Sequence, residues 1–354
     1  MNRKIIHCDC DCFYAAVEMR DEPSYRNRPI AIGGAANSRG VIATCNYPAR
    51  KFGIHSAMPS SQALRACPEL LILPGRMALY RAVSQQIMAI FRRYSDTIEP
   101  LSLDEAFIDV SESTLFDGSA TRIAQQIRAE VEAEVGITIS AGVAPNKFIA
   151  KVASDWRKPN GLFVVKPDEL DGFSAQLPVK KIPGIGPVSA AKLAAQGIHT
   201  CADLRPFSAL ELEKKFGRKG QVLALRRFGE DNSPVQTSRV RKSVSVENTY
   251  AQDLTSVDDC SNALLPLYEQ LMERWKKLSE HYAVAGLVLK LKFADFSQLT
   301  REQASRDIDL DFFKALLRVA FEGGEPQQQA QGVRLLGLGL KLKAPIPQQQ
   351  LRLF

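Results

Sequence analysis

Two adjacent carboxylates, Asp104 and Glu105, stand inside the largely apolar segment PLSLDEAFID. Burying an unpaired carboxylate is costly, so the two acids must lie at an exposed turn or face a cation. The flanking segments EPLSL and AFIDV read as the arms of a β-hairpin with both acids near its tip. A third acid, Asp9, ends the strand pattern RKIIHCD. Sequential strands are often neighbours in a sheet, so we expect the three acids to converge at one sheet edge.

Three convergent carboxylates suit Mg²⁺, a hard octahedral ion that keeps water and phosphate ligands. Two such ions, roughly 3.5–4 Å apart, are a device for in-line phosphoryl displacement, since one activates the attacking hydroxyl and the other neutralises a leaving pyrophosphate. The alternative is a hairpin tip whose acids face water, and these residues alone leave both interpretations open. Asp11 precedes the helical pattern CFYAAVEMR and is predicted to be its N-cap, not a ligand.

Basic and hydroxyl side chains that suit phosphate binding occur in two segments. Tyr47 and Arg50 of TCNYPARKFG are three residues apart on a predicted short helix and share a face, with Thr44 just before them. An arginine beside a hydroxyl donor has the form of a phosphate clamp. Lys158 precedes a Pro-Asn-Gly turn that can hold its ammonium at a fixed point. An ordinary solvated helix and turn remain the alternatives.

The segment VKKIPGIGPVSAAKL has the form of a helix–hairpin–helix motif. Gly184 and Gly186 let the backbone approach a ligand closely and aim N–H groups at a phosphate without reading any base. The alternative is a Gly-Pro turn between two packed helices. The stretch Lys214–Lys242 carries nine Lys or Arg against two acids, which is the pattern of a surface that follows a nucleic-acid backbone.

Composition limits the class of protein. The length of 354 residues suggests two to three domains, the 45% hydrophobic content supports real cores, and the formal net charge of +7 favours a polyanionic partner. No apolar run reaches membrane-spanning length, and the N-terminus does not read as a signal peptide. Seven cysteines, an odd number, fit a reducing compartment. The alternating CDCDC lacks a C-x-x-C pair, so its cysteines are predicted to be small apolar fillers, not zinc ligands.

The order of predicted elements indicates two similar units. Without the insertion of roughly residues 11–70, the first part reads strand, helix, hairpin, helix, strand, which is the split βαβ pattern with one open sheet face. Residues 166–231 read as short helices. From Val244 the strand and helix order restarts as a second βαββαβ unit, so the architecture repeats while the sequence does not. The polar segment NSPVQTSRVRKS between the units is predicted to be a linker.

Seven motifs together resemble those of Y-family translesion DNA polymerases, over essentially the whole chain. They are HCDCDCFYAAVE, ATCNYPARKFGI, PLSLDEAFIDV, AGVAPNKFIAK, KPNG, IPGIGPVSAAKL and RKSVSVENT. The resemblance implies an α+β right-hand polymerase with a βαββαβ palm, small fingers, a helical thumb with a helix–hairpin–helix, and a C-terminal βαββαβ little finger. The implied domains are the palm (1–10 and 75–165), fingers (11–74), thumb (166–231), basic linker (232–243), little finger (244–344) and a clamp-binding tail (345–354).

The family's activity is template-directed addition of deoxynucleotides to a primer 3′-OH by a two-metal mechanism. The resemblance further implies low fidelity, no proofreading and synthesis across damaged templates. A catalytically inactive DNA-binding accessory protein is the alternative, although the presence of all three acids argues against it. A metal-dependent nuclease is a third and weaker option.

The resemblance also assigns roles to individual residues. The catalytic acids Asp9, Asp104 and Glu105 would hold two Mg²⁺ ions, with the Cys10 carbonyl as a further ligand. Tyr14 occupies the position of a steric gate that rejects ribonucleotides, in a Phe-Tyr pair where many bacterial members carry two phenylalanines. The nucleotide-binding set is Tyr14, Phe13, Thr44, Tyr47, Arg50 and Lys158. The DNA-binding set is Gly184, Gly186, Arg239, Arg241, Lys242 and Ser243.

The C-terminal segment APIPQQQLRLF ends in apolar residues after a proline-containing spacer. It resembles the short peptide with which bacterial polymerases dock on a sliding clamp, through Gln350, Leu351, Leu353 and Phe354. The alternative is that the segment folds back onto the last domain. The expected partners are therefore primer–template DNA, deoxynucleoside triphosphates and a sliding clamp. We expect a cytoplasmic monomer with no membrane association.

Overall fold

The computed structural model describes residues 3–322 and 332–344. These residues divide into two compact units, one formed by residues 3–33, 42–58 and 62–238, the other by residues 34–41, 59–61, 239–322 and 332–344. The change of unit after Ser238 falls inside the segment predicted to be a linker, and the finer domain bounds stay predictions. Within the described residues, every helix is too short or too polar to span a lipid bilayer.

The elements up to residue 226 mix short strands with helices. In chain order they are β1 (Ile5–Cys10), α1 (Phe13–Asp21), β2 (Ile30–Gly33), β3 (Ile42–Cys45), α2 (Tyr47–Arg50), α3 (Ser60–Ala66), β4 (Leu71–Leu73), α4 (Met77–Phe91), β5 (Ile98–Pro100), β6 (Glu105–Asp109), α5 (Ala120–Glu130), β7 (Ile139–Ala144), α6 (Lys147–Ser154), β8 (Leu162–Val164), α7 (Leu170–Gln176), α8 (Pro187–Ala194), α9 (Ala209–Phe216) and α10 (Arg218–Arg226).

The main sheet of the first unit has the strand order β5-β6-β1-β7-β8. Strand β1 is central and antiparallel to both β6 and β7, while β8 adds to β7 in parallel. Strands β5 and β6 form the predicted hairpin. The order strand, helix, hairpin, helix, strand is therefore present, and it places the end of β1 beside the start of the second hairpin strand.

Both faces of this sheet are covered, which corrects the expectation of one open face. Ile5 and Ile6 are neighbours on β1 and so point to opposite faces. Ile6 lies in a buried cluster with Ile123 of α5, whereas Ile5 lies in a cluster with Phe148 of α6. The predicted split βαβ pattern places its own helices on one face of the sheet. Helix α6 follows β7 and packs on the opposite face, which the pattern by itself does not indicate.

A glycine permits the close packing of α6 on the sheet. A Cβ atom added at Gly142 of β7 would lie 2.0 Å from the carbonyl oxygen of Ala150. No side chain fits at that distance, so a residue other than glycine would push α6 away from the strand. Helix α6 carries Lys151, and its position therefore matters for the site at the end of β1.

The rest of the first unit consists of a small sheet and a set of short helices. The small sheet has the order β3-β2-β4. Helices α7 to α10 occupy the region predicted to be all helical, and their buried residues, including Leu193 and Leu212, belong to the same cluster as Ile5. Helix α9 begins with a capping box in which Ser208 and Glu211 satisfy each other's backbone N–H groups.

The second unit repeats the predicted order of elements around a different sheet. They are β9 (Ser243–Leu254), α11 (Val257–Lys276), β10 (Ala283–Phe293), β11 (Gln298–Gln303), α12 (Leu310–Glu322) and β12 (Val333–Lys343). The strand order is β11-β10-β12-β9, with every neighbouring pair antiparallel.

One face of this second sheet packs against helices and the other is polar. Leu287, Leu289 and Leu291 alternate along β10 and are buried in a cluster with residues of α11 and α12. Lys290, which points to the other face, forms an ion pair with Glu247 at 2.8 Å. This alternation is what a sheet with a single covered face requires.

Candidate active site

The strand pairing brings two of the predicted catalytic acids together. Asp9 is the direct cross-strand partner of Glu105 in the β1–β6 ladder. Asp104 immediately precedes β6, and its backbone oxygen accepts a hydrogen bond of 2.9 Å from the backbone N–H of Cys10. Cys10 and the backbone of Asp104 therefore lie beside Asp9 and Glu105 at the point where β1 ends. The Asp104 carboxylate is not in the close group of ligand atoms that includes Asp9 and Glu105, so the convergence of all three carboxylates stays a prediction.

A group of possible metal ligands at this point includes a residue that sequence reasoning missed. Among the described residues, ligand atoms of His7, Asp9 and Glu105 lie within 4.8 Å of one another. His7 is fully buried, and its nitrogens pair with Ser154 Oγ at 2.8 Å and with Glu105 Oε2 at 3.1 Å. Because both nitrogens already have partners, His7 is suited to orient the Glu105 carboxylate. Its position two residues before Asp9, on the same face of β1, was the signal available in the sequence.

Two lysines neutralise the central acids. Lys151 of α6 pairs with Glu105, and Lys158 pairs with Asp9. A carboxylate beside the apolar core is costly without a counter-ion, and each of the two acids has an ammonium group as its counter-ion. Lys158 was predicted as a phosphate ligand, whereas Lys151 was not singled out. Lys151 could have been recognised only from the packing of α6 on the sheet.

The two acids differ in their affinity for protons. Burial raises the pKa of Asp9 to about 6, although the Lys158 ammonium acts in the opposite direction. Burial also acts to raise the pKa of Glu105, but hydrogen bonds from His7 and Lys151 outweigh it and lower that pKa to about 2. Glu105 is therefore the more firmly ionised of the pair at neutral pH.

A cavity of about 300 Å³ opens beside these carboxylates. That volume is at the lower end of the range typical of small-molecule sites, roughly 300–1,000 Å³. Most of the predicted nucleotide-binding residues contribute to its wall, and Glu105 and Tyr47 do not. The lining residues are Asp9, Cys10, Cys12, Phe13, Tyr14, Ala43, Thr44, Arg50, Ser56, Asp104 and Lys158.

The predicted sugar gate, Tyr14, is held by an aromatic neighbour. Its ring stacks on that of Tyr80 in α4, with centroids 4.4 Å apart and an angle of 16° between the planes. The Tyr80 hydroxyl donates a hydrogen bond of 2.6 Å to Glu18, and Arg76 also binds the Glu18 carboxylate. The Tyr14 ring therefore rests on a second ring that is itself fixed by a chain of polar contacts.

The short helix α2 presents an arginine next to a tyrosine. The Asn46 side chain caps this helix by accepting a hydrogen bond of 3.1 Å from Ala49 N–H. The Arg50 guanidinium lies over the Tyr47 ring, 4.8 Å from its centroid, and its Nε donates to the Cys45 carbonyl at 3.2 Å. The predicted pairing of Tyr47 with Arg50 on one surface is therefore present, with the guanidinium tied back at one nitrogen.

Asp11 does not cap helix α1, which corrects the sequence interpretation. The residue at the N-cap position is Cys12, in a left-handed conformation and without a side-chain cap. The Asp11 side chain instead accepts hydrogen bonds from Thr138 and Ser140, and from the backbone N–H of Asn160. The cap prediction was wrong because donors more than 100 positions away in the chain compete for this carboxylate, and the local pattern contains no sign of them.

The residues predicted to contact DNA lie on exposed backbone. Gly184 has a φ of +90°, which favours glycine, and Gly186 is the N-cap of α8. Arg239, Arg241 and Lys242 are exposed in the second unit, just before Ser243 begins β9. The predicted clamp-binding residues Gln350, Leu351, Leu353 and Phe354 lie outside the described residues.

Sequence profiles of known protein families match most of the chain. The impB/mucB/samB family matches residues 8–155, its C-terminal domain matches residues 241–353, and the DNA polymerase-iota thumb domain matches residues 180–224. DNA polymerase IV of Ectopseudomonas mendocina is 53% identical over 353 residues, which are 99% of each chain. The chain belongs to the Y family of DNA polymerases.

Further relatives agree with this assignment. DNA polymerase IV of Ralstonia nicotianae is 53% identical over 96% of this chain and 94% of its own. Among solved structures, the Y-family DNA polymerase chimera of Dbh and Dpo4 has a TM-score of 0.86 at 30% identity, covering 96% of this chain and 98% of that one. An insertion ternary complex of Dbh DNA polymerase has a TM-score of 0.66 at 28% identity, covering 97% of this chain and 100% of that one. The predicted family and the right-hand polymerase fold are confirmed, and the alternative of an inactive accessory protein has no support.

Proposed function

We propose that this Y-family chain is a translesion DNA-directed DNA polymerase whose reaction depends on Asp9, Asp104 and Glu105. It adds deoxynucleotides to a primer 3′-OH as the template directs. The observation that carries this assignment to particular residues is the cross-strand pairing of Asp9 with Glu105, beside a cavity that Arg50 and Lys158 also line. Carboxylates and cations on one cavity wall are what a metal-assisted reaction of a triphosphate requires.

The carboxylates suit the hard cations that such a reaction uses. Asp9, Asp104 and Glu105, with the Cys10 carbonyl, offer only oxygen ligands, which favour Mg²⁺ over softer metals. Two bound Mg²⁺ ions would supply activation of the primer hydroxyl and neutralisation of the leaving pyrophosphate. His7 and Lys151 hold the Glu105 carboxylate in its orientation, and the low pKa of Glu105 keeps it ionised.

We propose that Thr44, Tyr47, Arg50 and Lys158 hold the triphosphate, and that Phe13 lies against the nucleotide. Lys158 now pairs with Asp9, and a triphosphate entering the cavity would offer its ammonium a more highly charged partner. Tyr14, with its ring fixed against Tyr80, would occupy the space that a ribose 2′-hydroxyl needs. The discrimination against ribonucleotides is then steric.

The DNA contacts follow from exposed N–H groups and basic side chains. Gly184 and Gly186 leave open space where a side chain would otherwise stand, so a phosphate can approach the backbone at the start of α8. Arg239, Arg241 and Lys242, with the backbone at Ser243, are proposed to bind phosphates of the primer–template. Such contacts fix position without reading sequence, as a polymerase requires.

We also propose that the tail docks on a sliding clamp through Gln350, Leu351, Leu353 and Phe354. Deleting residues 350–354 should leave extension of short primers intact and should remove the stimulation given by a loaded clamp. Tethering, not intrinsic affinity, would explain such stimulation. Equal stimulation of the full-length and shortened proteins would return the tail to the fold-back alternative.

The cellular state is proposed on grounds of composition. All seven cysteines are buried and unpaired, which fits a reducing cytoplasm. We propose a monomer, and light scattering at working concentration would test it.

The test of the proposed function is primer extension by the purified protein. We expect template-directed lengthening that needs Mg²⁺ and stops when EDTA is added. Shortening of the primer would indicate a nuclease, and DNA binding without any extension would indicate an accessory protein. A panel of damaged templates would then show which lesions are crossed.

A further inference from the structure

Asp11 is a buried carboxylate whose hydrogen-bond partners come from distant parts of the first unit. Only 2% of the residue is exposed. Its Oδ1 accepts from Ser140 Oγ at 2.8 Å, and its Oδ2 accepts from Thr138 Oγ1 at 2.8 Å and from Asn160 N–H at 2.7 Å. These three donors are neutral groups. A buried carboxylate without a cation among its direct hydrogen-bond partners is costly, so these donors must compensate it.

The hydrogen bond from Asn160 joins Asp11 to the turn that follows Lys158, and Arg128 also binds Asn160 from another side. Asn160 has a φ of +50°, a left-handed conformation that needs support from its surroundings in a residue other than glycine. The next N–H group, that of Gly161, donates to Ser140 Oγ at 3.2 Å, and Ser140 in turn donates to Asp11. Two successive N–H groups of the turn are therefore held by Asp11, one directly and one through Ser140.

Asp11 also faces the second element that carries a proposed phosphate ligand. The Tyr47 hydroxyl, on the first residue of α2, lies 3.5 Å from Asp11 Oδ1, at the outer limit of a hydrogen bond. The main chain of Asp11 is itself fixed, because its N–H donates to the Thr138 carbonyl at 3.1 Å. A rigid acceptor thus stands between the turn of Lys158 and the helix of Tyr47.

We propose that Asp11 is a positioning residue for triphosphate binding, which sets the places of Lys158 and Tyr47 without touching the nucleotide itself. A carboxylate would repel a triphosphate if it met it directly, so Asp11 acts through the donors it holds. The proposal rests on the function proposed above and deepens it. The competing interpretation is that Asp11 only stabilises the junction between β1 and β7.

The test compares Asp11→Ala with Asp11→Asn in steady-state primer extension by the full chain. Asp11→Ala removes the acceptor for the Asn160 N–H, so the KM for the deoxynucleotide should rise about tenfold or more, the scale of removing a buried hydrogen-bond partner that is charged. The kcat should change by less than about threefold on the same argument, because every group that touches the reacting atoms is kept. Asp11→Asn keeps one oxygen for the Asn160 N–H, and it should restore most of the wild-type KM.

Thr138→Val is the matched control. It removes a hydroxyl that donates to the same carboxylate oxygen, yet it leaves the turn of Lys158 untouched. We expect a lower melting temperature and an unchanged KM. A KM that rises as much in Thr138→Val as in Asp11→Ala would overturn the proposal, as would an Asp11→Ala variant with wild-type KM or one whose defect is confined to kcat.

Two further measurements keep the test decisive. If Asp11→Ala does not fold, Ser140→Ala replaces it, since that change removes the acceptor for the Gly161 N–H, and an unchanged KM there would overturn the proposal. Equilibrium dialysis with labelled deoxynucleotide tests the proposed polymerase activity and the role of Asp11 separately. A wild-type protein that binds the nucleotide but never extends a primer contradicts the proposed function, whereas equal nucleotide affinity in wild type and Asp11→Ala contradicts the role of Asp11.

Discussion

The two βαββαβ units share an order of elements along the chain but not an order of strands in space. In the first unit the first strand, β1, is central and contacts both the hairpin and β7. In the second unit the first strand, β9, lies at the edge, and the last strand, β12, separates it from the hairpin. The same succession of helices and strands thus produces two different sets of neighbours.

This difference decides where a site can form. Asp9 meets Glu105 because β1 pairs directly with the second hairpin strand. An acid on β9 has no direct cross-strand partner in the hairpin, because β12 lies between the two. The oppositely charged side chains of the second sheet form ion pairs that reach across an intervening strand, such as Lys290 with Glu247 over β12 and Lys341 with Glu302 over β10. The proposed chemistry therefore belongs to the sheet whose first strand is central.

The largest expected effect contrasts an acid of the first sheet with one of the second. Asp104→Asn should lower the rate of primer extension by more than about 100-fold, because even the outer partners of metal ligands are worth roughly 10–100-fold. Affinity for primer–template should stay within a few-fold of wild type, since the proposed DNA-binding residues Arg239, Arg241 and Lys242 are unchanged. Steady-state extension and DNA-binding assays on the same preparation measure both.

Glu302→Gln is the matched change in the second sheet. It breaks a half-exposed ion pair with Lys341, which contributes little to stability. Extension should remain within about twofold of wild type on that ground. Equal decreases in the extension rate of the two variants would contradict the proposal that catalysis depends on the first sheet and not on the second.

The next effect concerns selectivity in the first unit. Tyr14→Ala should raise the efficiency of ribonucleotide use relative to deoxynucleotide use by at least about tenfold, because a single group in a shaped pocket discriminates by roughly 10–200-fold. Tyr14→Phe keeps the ring that stacks on Tyr80 and should keep the wild-type ratio. The measurement is the ratio of kcat/KM for the ribonucleotide to kcat/KM for the deoxynucleotide, determined for wild type and for both variants. A ratio that does not move in Tyr14→Ala would show that another residue excludes the 2′-hydroxyl.

A smaller effect tests the basic segment at the start of the second unit. Replacing Arg239, Arg241 and Lys242 by alanine should weaken binding equally for all DNA sequences, since phosphate contacts carry no sequence information. The slope of log affinity against log salt should flatten by roughly 0.9 for each phosphate of duplex DNA that the variant no longer neutralises. Lys314→Ala on α12, on the helical side of the unit, is the control and should leave the slope unchanged. An unchanged slope in the triple variant would place these side chains away from the backbone of DNA.

The smallest effect returns to the two central acids of the first sheet, measured without metal. The raised pKa of Asp9 means that the folded state binds its proton more strongly, so this group makes the protein less stable as pH rises from about 4 to about 6. The lowered pKa of Glu105 acts in the opposite direction, since its contribution is complete above about pH 4.5 and disappears as pH falls towards 2.

Urea unfolding in EDTA at a series of pH values measures both contributions. Asp9→Asn should gain stability over wild type as pH rises through the first window. Glu105→Gln should become less stable relative to wild type as pH rises through the second. Slopes of the same sign in the two variants would contradict the assignment.

Much of the site could be predicted because its residues lie in short segments with recognisable local patterns. The acids of the hairpin, the turn after Lys158 and the pair of Tyr47 with Arg50 are each local patterns with a physical meaning. The structure brings Asp9 beside Glu105 and puts Asp104, Arg50 and Lys158 around the same cavity. The seven motifs together indicated the family, and the comparisons confirm it.

What could not be predicted are contacts between segments far apart in the chain. Lys151 meets Glu105, and Asp11 meets Thr138 and Asn160, only because α6 and β7 pack where they do. The covering of both sheet faces was missed for the same reason. Hydrophobic periodicity states which side chains are buried, but it does not name the element that buries them.

Local sequence patterns were enough to specify the types of the elements, the presence of three carboxylates at strand ends, and two units of the same element order. Secondary-structure propensity and hydrophobic periodicity depend on neighbouring residues, so they can be recognised in the sequence without knowledge of the fold. The central place of β1, the edge place of β9, and the cation or hydroxyl that satisfies each buried acid emerged only with the folded structure. Strand order and the partners of the buried acids depend on contacts between residues tens to more than a hundred positions apart in the chain. Alternative strand orders are compatible with the same local sequence patterns, so those patterns do not distinguish them.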